Sequence, residues 1–266
     1  MLRILGFYFL FLMAGCSQHE PTLVKGLQSD EDVAILPQPP SSTELEITAI
    51  DIIAKNGNKA EISLSVRNGT SQNFTKLVVM VFPAVENVTI VNNGVDVGAI
   101  NGLTTSTPQN TFVVSSSDLN LDLDDFYFSF DEQNTVEGID NNQDGIRDDI
   151  EVLIDRNATN SNLRVFLRGF AKEAHQLYSS TNVSQAVPAL SRVEDYAACV
   201  DYELLKESDD ESDLIDYFIF AIANTNERMI ARNNALSLIN SAIITQTMPL
   251  PSEVTEFCTN ALNTNQ

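Results

Sequence analysis

Asp140-Asn141-Asn142-Gln143-Asp144-Gly145-Ile146-Arg147-Asp148-Asp149-Ile150-Glu151 separates a stretch that reads in twos from one that reads in threes and fours. Ahead of it, from Thr43 to about Asp131, short runs alternate apolar and polar residues. The clearest are Leu45-Glu46-Ile47-Thr48-Ala49-Ile50, Ala60-Glu61-Ile62-Ser63-Leu64-Ser65-Val66, Leu77-Val78-Val79-Met80-Val81-Phe82 and Phe126-Tyr127-Phe128-Ser129-Phe130. Successive side chains of a strand face opposite sides, so these runs read as half-buried strands of an antiparallel β-sandwich. Asn56-Gly57-Asn58 and Asn68-Gly69-Thr70 supply turns, with glycine offering positive φ.

After about Asp148 the period becomes helical. Leu163, Phe166, Leu167, Phe170, Ala174, Leu177 and Tyr178 form one apolar face, and Thr159, Asn160 or Ser161 is placed to cap it. A second helix is expected after Pro188, through Leu190, Val193, Ala197, Val200 and Leu204. A third runs from about Ser212 to Ile244, with a break at Asn224-Thr225-Asn226-Glu227, where Asn224 and Glu227 have capping-box spacing. Pro249 and Pro251 end it, and a short last helix carries Phe257 and Cys258. The expected fold class is therefore α+β with separate domains: a β-sandwich at 43–132, a joint at 133–152 and an α-helical domain at 153–266.

The joint is also where the sequence concentrates chemistry. Counting Asp140 as position 1, oxygen-bearing side chains fall at 1, 3, 5, 9 and 12, with glycine at 6. This is the ligand spacing of an EF-hand-type calcium loop. Asp140, Asn142 and Asp144 alternate around a tight turn that Gly145 permits, and the carbonyl of Ile146 fills the seventh position. Asp148 contributes directly or through water, and Glu151, one helical turn on, closes the shell with both oxygens. Six or seven hard oxygens suit Ca²⁺, and no nearby histidine or cysteine invites a softer metal. The same acidic residues would also serve as a cap on the helix that begins near Asp148. Because no helix precedes the loop and the apolar residue stands at position 7, the segment resembles a thrombospondin type 3 or dockerin-like calcium loop. An ion there would brace the joint between strand and helix.

The N-terminus reads as a processing segment. Arg3 precedes an apolar run from Ile4 to Ala14 that is too short to span a bilayer. The run closes on Met13-Ala14-Gly15-Cys16, which resembles the bacterial lipobox, with Met13 where leucine is usual. That resemblance implies a signal peptide at 1–15 and acylation of Cys16. The membrane is then the first partner, because several acyl chains on one residue give stable anchoring. Ser17 after the cysteine, in place of the aspartate that retains such proteins in the inner membrane, implies the outer membrane. Residues 16–42, with Pro37-Gln38-Pro39-Pro40, lack a sustained apolar period and read as a tether spanning roughly 25–30 Å as a flexible coil.

With Cys16 acylated, Cys199 and Cys258 remain, and in an oxidising compartment they are expected to pair. The full sequence carries 37 acidic and 15 basic side chains, a formal charge of −22, and loss of Arg3 leaves the mature chain one unit more negative. Such a balance excludes nucleic-acid binding and makes cations the expected small partners. Asp118-Leu119-Asn120-Leu121-Asp122-Leu123-Asp124 reads as a strand or extended loop with a solvated acidic face. His175 reads as a surface histidine.

The alternating stretch, with Val66-Arg67-Asn68-Gly69 leading into a loop, resembles the immunoglobulin-like domains of bacterial surface proteins. The calcium loop, the segment Asn224-Thr225-Asn226-Glu227-Arg228 and the two late cysteines also resemble a group of lipoproteins of marine-type Gram-negative bacteria, which brings no activity with it. No nucleophile and base arrangement has its parts here. The expected function is a non-enzymatic, calcium-braced envelope lipoprotein that binds an envelope protein or polysaccharide. The alternative is a hydrolase of envelope polymers, using acidic residues that no spacing selects.

Overall fold

Alternation at the strand sites turns into two sheets that share one apolar core. The computed structural model describes residues 45–207, 213–241 and 251–264; the expected signal peptide, Cys16 and the tether lie outside them. The described strands are β1 (Leu45–Asn56), β2 (Lys59–Asn68), β3 (Phe74–Pro83), β4 (Val88–Asn92), β5 (Gly94–Ile100), β6 (Thr104–Ser106), β7 (Phe112–Ser116) and β8 (Phe126–Glu132). One sheet runs β1-β2-β7-β4, with β6 also on β2, and the other runs β5-β3-β8. Every pairing is antiparallel.

On β2 the period of two is explicit, since Ala60, Ile62, Leu64 and Val66 are buried while Glu61, Ser63 and Ser65 between them are not. Opposite them lie Leu77, Val79 and Val81 of β3, and the rings of Phe112 and Phe126 meet edge to face at 5.3 Å, one from each sheet. A hairpin joins β1 to β2 with Asn56 paired to Lys59, and Gly57 there takes φ of +61°. The Asn68 turn is built differently. Its fully buried side chain accepts from the Thr70 amide and donates to the carbonyls of Gln72 and Asn101, so asparagine holds the corner that glycine was expected to make.

The half-buried reading fails for β3. Val78 and Phe82 face away from the shared core, yet are only 5 % exposed. The helices cover that outer face. The first, α1 (Asp148–Asn157), packs against β8; its Arg156 lies 5.7 Å above the Phe82 ring and donates to the Pro83 carbonyl at 2.8 Å. The remaining helices are α2 (Ser161–Tyr178), α3 (Val183–Glu207), α4 (Leu214–Ile222), α5 (Asn226–Ser241) and α6 (Pro251–Thr264). With antiparallel sheets in the first half and six described helices in the second, the chain is α+β.

The predicted apolar face of α2 is the buried one, and Asn160 caps it by accepting from the Leu163 amide at 2.9 Å. Gly169 lets the ring of Tyr196 on α3 lie against the helix backbone, where a Cβ would come within 2.2 Å of it. Contrary to expectation, α3 begins before Pro188. Asn182 caps it through its side chain and carbonyl, leaving the missing proline N–H in the second turn. The long third segment breaks as predicted, between α4 and α5, but Asn224 is not the cap. The Thr225 hydroxyl accepts from the Arg228 amide at 3.2 Å, and Asn224 turns its oxygen to the Arg228 guanidinium. Helix α6 is described from Pro251, while the expected end of the preceding helix near Ile244 and Pro249 lies outside the described residues. Cys199 on α3 and Cys258 on α6 are bonded and buried, with Cα atoms 5.6 Å apart, so the expected pairing is present.

Candidate functional site

From β8 the chain enters the loop through Ile139 and leaves it as α1. Asp140 accepts from the Gly145 amide at 2.9 Å with one oxygen and from the Asp144 amide at 3.3 Å with the other. Asn142 accepts from the Asp144 amide at 3.0 Å, and Asp144 from the Ile146 amide at 2.9 Å. Three alternate side chains thus fold the backbone around themselves. Gly145, at φ +90°, makes the turn that a residue with a Cβ would resist. Asp148 accepts from the amide and the side chain of Asn141, while the Ile139 carbonyl accepts from the Asp148 amide at 2.9 Å, closing the loop at its neck.

Of the six expected ligands, three are drawn to one point, and a cation from α2 stands there. Nη2 of Arg168 contacts Asp144 and lies 2.7 Å from Glu151. The amide of Asn142 is 3.1 and 3.2 Å from the Glu151 oxygens. Asp140 and Asp148 face the loop backbone and Asn141, and the Ile146 side chain is buried beneath. Among the described residues, no group of three or more His, Cys, Asp or Glu side chains is placed to hold a metal. The donor set is hard oxygen throughout and suits Ca²⁺ in kind, but Asp144 and Glu151 can close a shell only if Arg168 leaves.

Electrostatics at the loop reflect crowding of like charge. Burial, reinforced by Asp140 and Asp149 and opposed by the Asn141 hydrogen bonds, pushes the Asp148 carboxyl up to about 6. Burial also raises Glu151, although Arg168 pulls the other way. Both shifts say that negative charge here is held at a cost, which any additional cation would relieve.

Behind the loop lies a buried ionic cluster that sequence reading missed. Arg228 of α5 is fully buried and clamps both oxygens of Asp131 on β8 at 2.6 and 2.7 Å. It also donates to the Glu132 and Val136 carbonyls. Arg147, 4 % exposed, holds Asp149 at 2.7 and 2.8 Å and donates to the Ile222 and Ala221 carbonyls at the end of α4. Its Nε is 3.8 Å from Asp131, so the two pairs touch. Burial pulls the Arg147 guanidinium down, but Asp149 and Asp131 more than reverse this. Gly138 is required by proximity, because a Cβ there would sit 2.4 Å from Arg147 and 2.7 Å from Arg228. Arginine in a loop, like Arg147, or in the first turn of a helix, like Arg228, carries no periodic signal of burial. Only the strand-end Asp131, on the face opposite the core, hints that it needs a partner.

His175 is half-buried toward this cluster and held below its ordinary pKa by burial and by Arg147, so it is not the surface histidine expected. The acidic alternation around Leu121 is a loop that ends in a 3-10 turn at Leu123–Asp125, capped by Asp122 with Asp125 answering in a capping box. No helix of the described residues is long and apolar enough to cross a membrane. No protein-family model and no curated protein matches this chain.

Proposed function

We propose that this chain is a lipid-anchored, non-catalytic binding or scaffold protein of a bacterial envelope, braced by Ca²⁺ at the joint between its sheets and its helices. The observation that carries the reading is the loop itself. The spacing Asp140, Asn142, Asp144, Ile146, Asp148, Glu151 folds around its own side chains, and Asn142, Asp144 and Glu151 meet where a positive charge already stands. When bound, the ion supplies charge neutralisation and a rigid oxygen cage. Asp140, Asn142, Asp144 and Glu151 would hold it, with the Ile146 carbonyl and Asp148 completing the set.

The anchor rests on Met13-Ala14-Gly15-Cys16. An immunoglobulin-like identity for the sheets is supported by their order, since β1-β2-β7-β4 follows the A-B-E-D order of that fold and β3-β8 its C-F pair. β5, on the far side of β3, departs from it. Absence of catalysis is supported by where the buried carboxylates are used. Asp131 and Asp149 are consumed by arginines, and Glu132 by the Thr75 and Lys76 amides.

Thermal melting of the purified full chain with calcium or with chelator tests the reading. An ion that binds only the folded form, at about one hundred times its Kd, stabilises by about 2.7 kcal/mol, or roughly 5–10 °C for a chain of this size. Glu151→Ala should remove that difference. A melt that calcium does not move leaves the loop as an acidic cap on α1 and removes the ion from the proposal.

A further inference from the structure

Resting on the calcium reading, we propose that Arg168 is a tethered competitor for the ion, so that calcium binds by exchange and Arg168 sets the concentration at which it does. The two oxygens that Arg168 holds, one of Asp144 and one of Glu151, belong to the fifth and twelfth ligand positions. Calcium takes oxygens at about 2.3–2.6 Å, so it would occupy the space of Nη2, and two cations cannot share these oxygens at contact distance. Arg168 is free to leave. Its side chain is 34 % exposed, whereas Arg147, the other guanidinium next to the loop, is 3 % exposed and fixed by Asp149 and two carbonyls. The stem of Lys172, one turn further along α2, lies against Gly145 at 3.5 Å from where a Cβ would be, so the same helix edge brings a second cationic side chain over the loop.

The arrangement gives the joint two closed forms. In one, an internal guanidinium neutralises the carboxylates. In the other, the dication does so and the guanidinium is released to solvent. A protein with the internal form available needs no metal to fold, and its apparent calcium affinity is weakened by whatever Arg168 gains from Asp144 and Glu151.

Calorimetric titration of calcium chloride into chelator-stripped full-length protein in detergent tests this, comparing wild type, Arg168→Gln and Arg168→Lys, with circular dichroism to confirm folding. Loss of a charge-assisted contact of this exposure should tighten calcium binding roughly tenfold in Arg168→Gln. Arg168→Lys, which keeps the charge, should stay close to wild type. Equal or weaker binding by a folded Arg168→Gln overturns the competition while leaving the calcium site standing. Heat in none of the three overturns both. Should Arg168→Gln not fold, the wild-type protein still decides. The Arg168 side-chain Nε–H resonance, assigned by its loss in Arg168→Lys, should move to a solvent-exchanging position on calcium saturation, and an unmoved resonance in the loaded protein overturns the exchange.

Discussion

Replacing Arg228 by methionine removes the centre of the buried cluster while nearly conserving volume. The guanidinium makes two contacts to Asp131 at 2.6 and 2.7 Å, one to Asn224 at 2.7 Å, and longer ones to the Glu132 and Val136 carbonyls. Removing one partner of a buried ion pair costs about 3–5 kcal/mol, chiefly because the other charge stays behind without compensation. Arg147, with its Nε 3.8 Å from Asp131, offsets part of this, which places the expected loss near the lower end, about 3 kcal/mol. For a chain of this size that is roughly 6–12 °C in melting temperature. Urea and thermal unfolding followed by far-ultraviolet circular dichroism, in chelator and at fixed pH, measure it. Asp131→Leu combined with Arg228→Met should be more stable than Arg228→Met alone, since both charges then leave together. A loss below about 1 kcal/mol in the single variant, or a double variant as unstable as the sum of the singles, would refute the view that this pair holds the joint.

Three further outcomes are expected. Because the Asp148 carboxyl is raised to about 6 in the folded chain against an ordinary 3.8, its contribution is fully present below about pH 4 and is lost as pH rises through 6. Calcium-free protein should therefore lose stability between pH 4 and 7 relative to Asp148→Asn. The comparison must be with that variant, because His175, held below its ordinary 6.5, works in the opposite sense and loses stability as pH falls. Alanine at both Cys199 and Cys258, which close a separation of 59 residues, should cost up to roughly 4 kcal/mol; a melting curve like that of wild type would show that the bond constrains little. Cys16→Ser should lose acyl label and leave the membrane fraction, and unchanged fractionation would remove the anchor.

Where one periodicity dominates, the sequence was enough. The alternation on β2 and the i, i+3, i+4 face of α2 each describe an element buried on one side, which is what such patterns measure. The self-folding of the loop from Asp140 to Glu151 was legible because the side chains and amides that build it are local. β3 misled because it is buried on both faces, and a run of Leu, Val and Phe does not say what covers its second side. The ionic cluster was illegible because burial of Arg147 and Arg228 depends on Asp149 and Asp131 arriving from other elements. Arg168 stayed hidden for the same reason. Helix α2 was predicted correctly, yet nothing in its own sequence says that its polar side faces an acidic loop.

The pair Asp131 and Arg228 also orders events in time. A chain is made from its amino end, and Asp131 is made 97 residues before the arginine that answers it. Until then the outer side of β3 and β8 offers water a carboxylate paired across the strands with Val78, with Phe82 exposed further along the same face. The sheets on their own are thus an unfinished object. Arg228 of α5 closes that gap last, so a truncation ahead of it should yield a fragment that keeps an unpaired carboxylate and is less stable than the full chain.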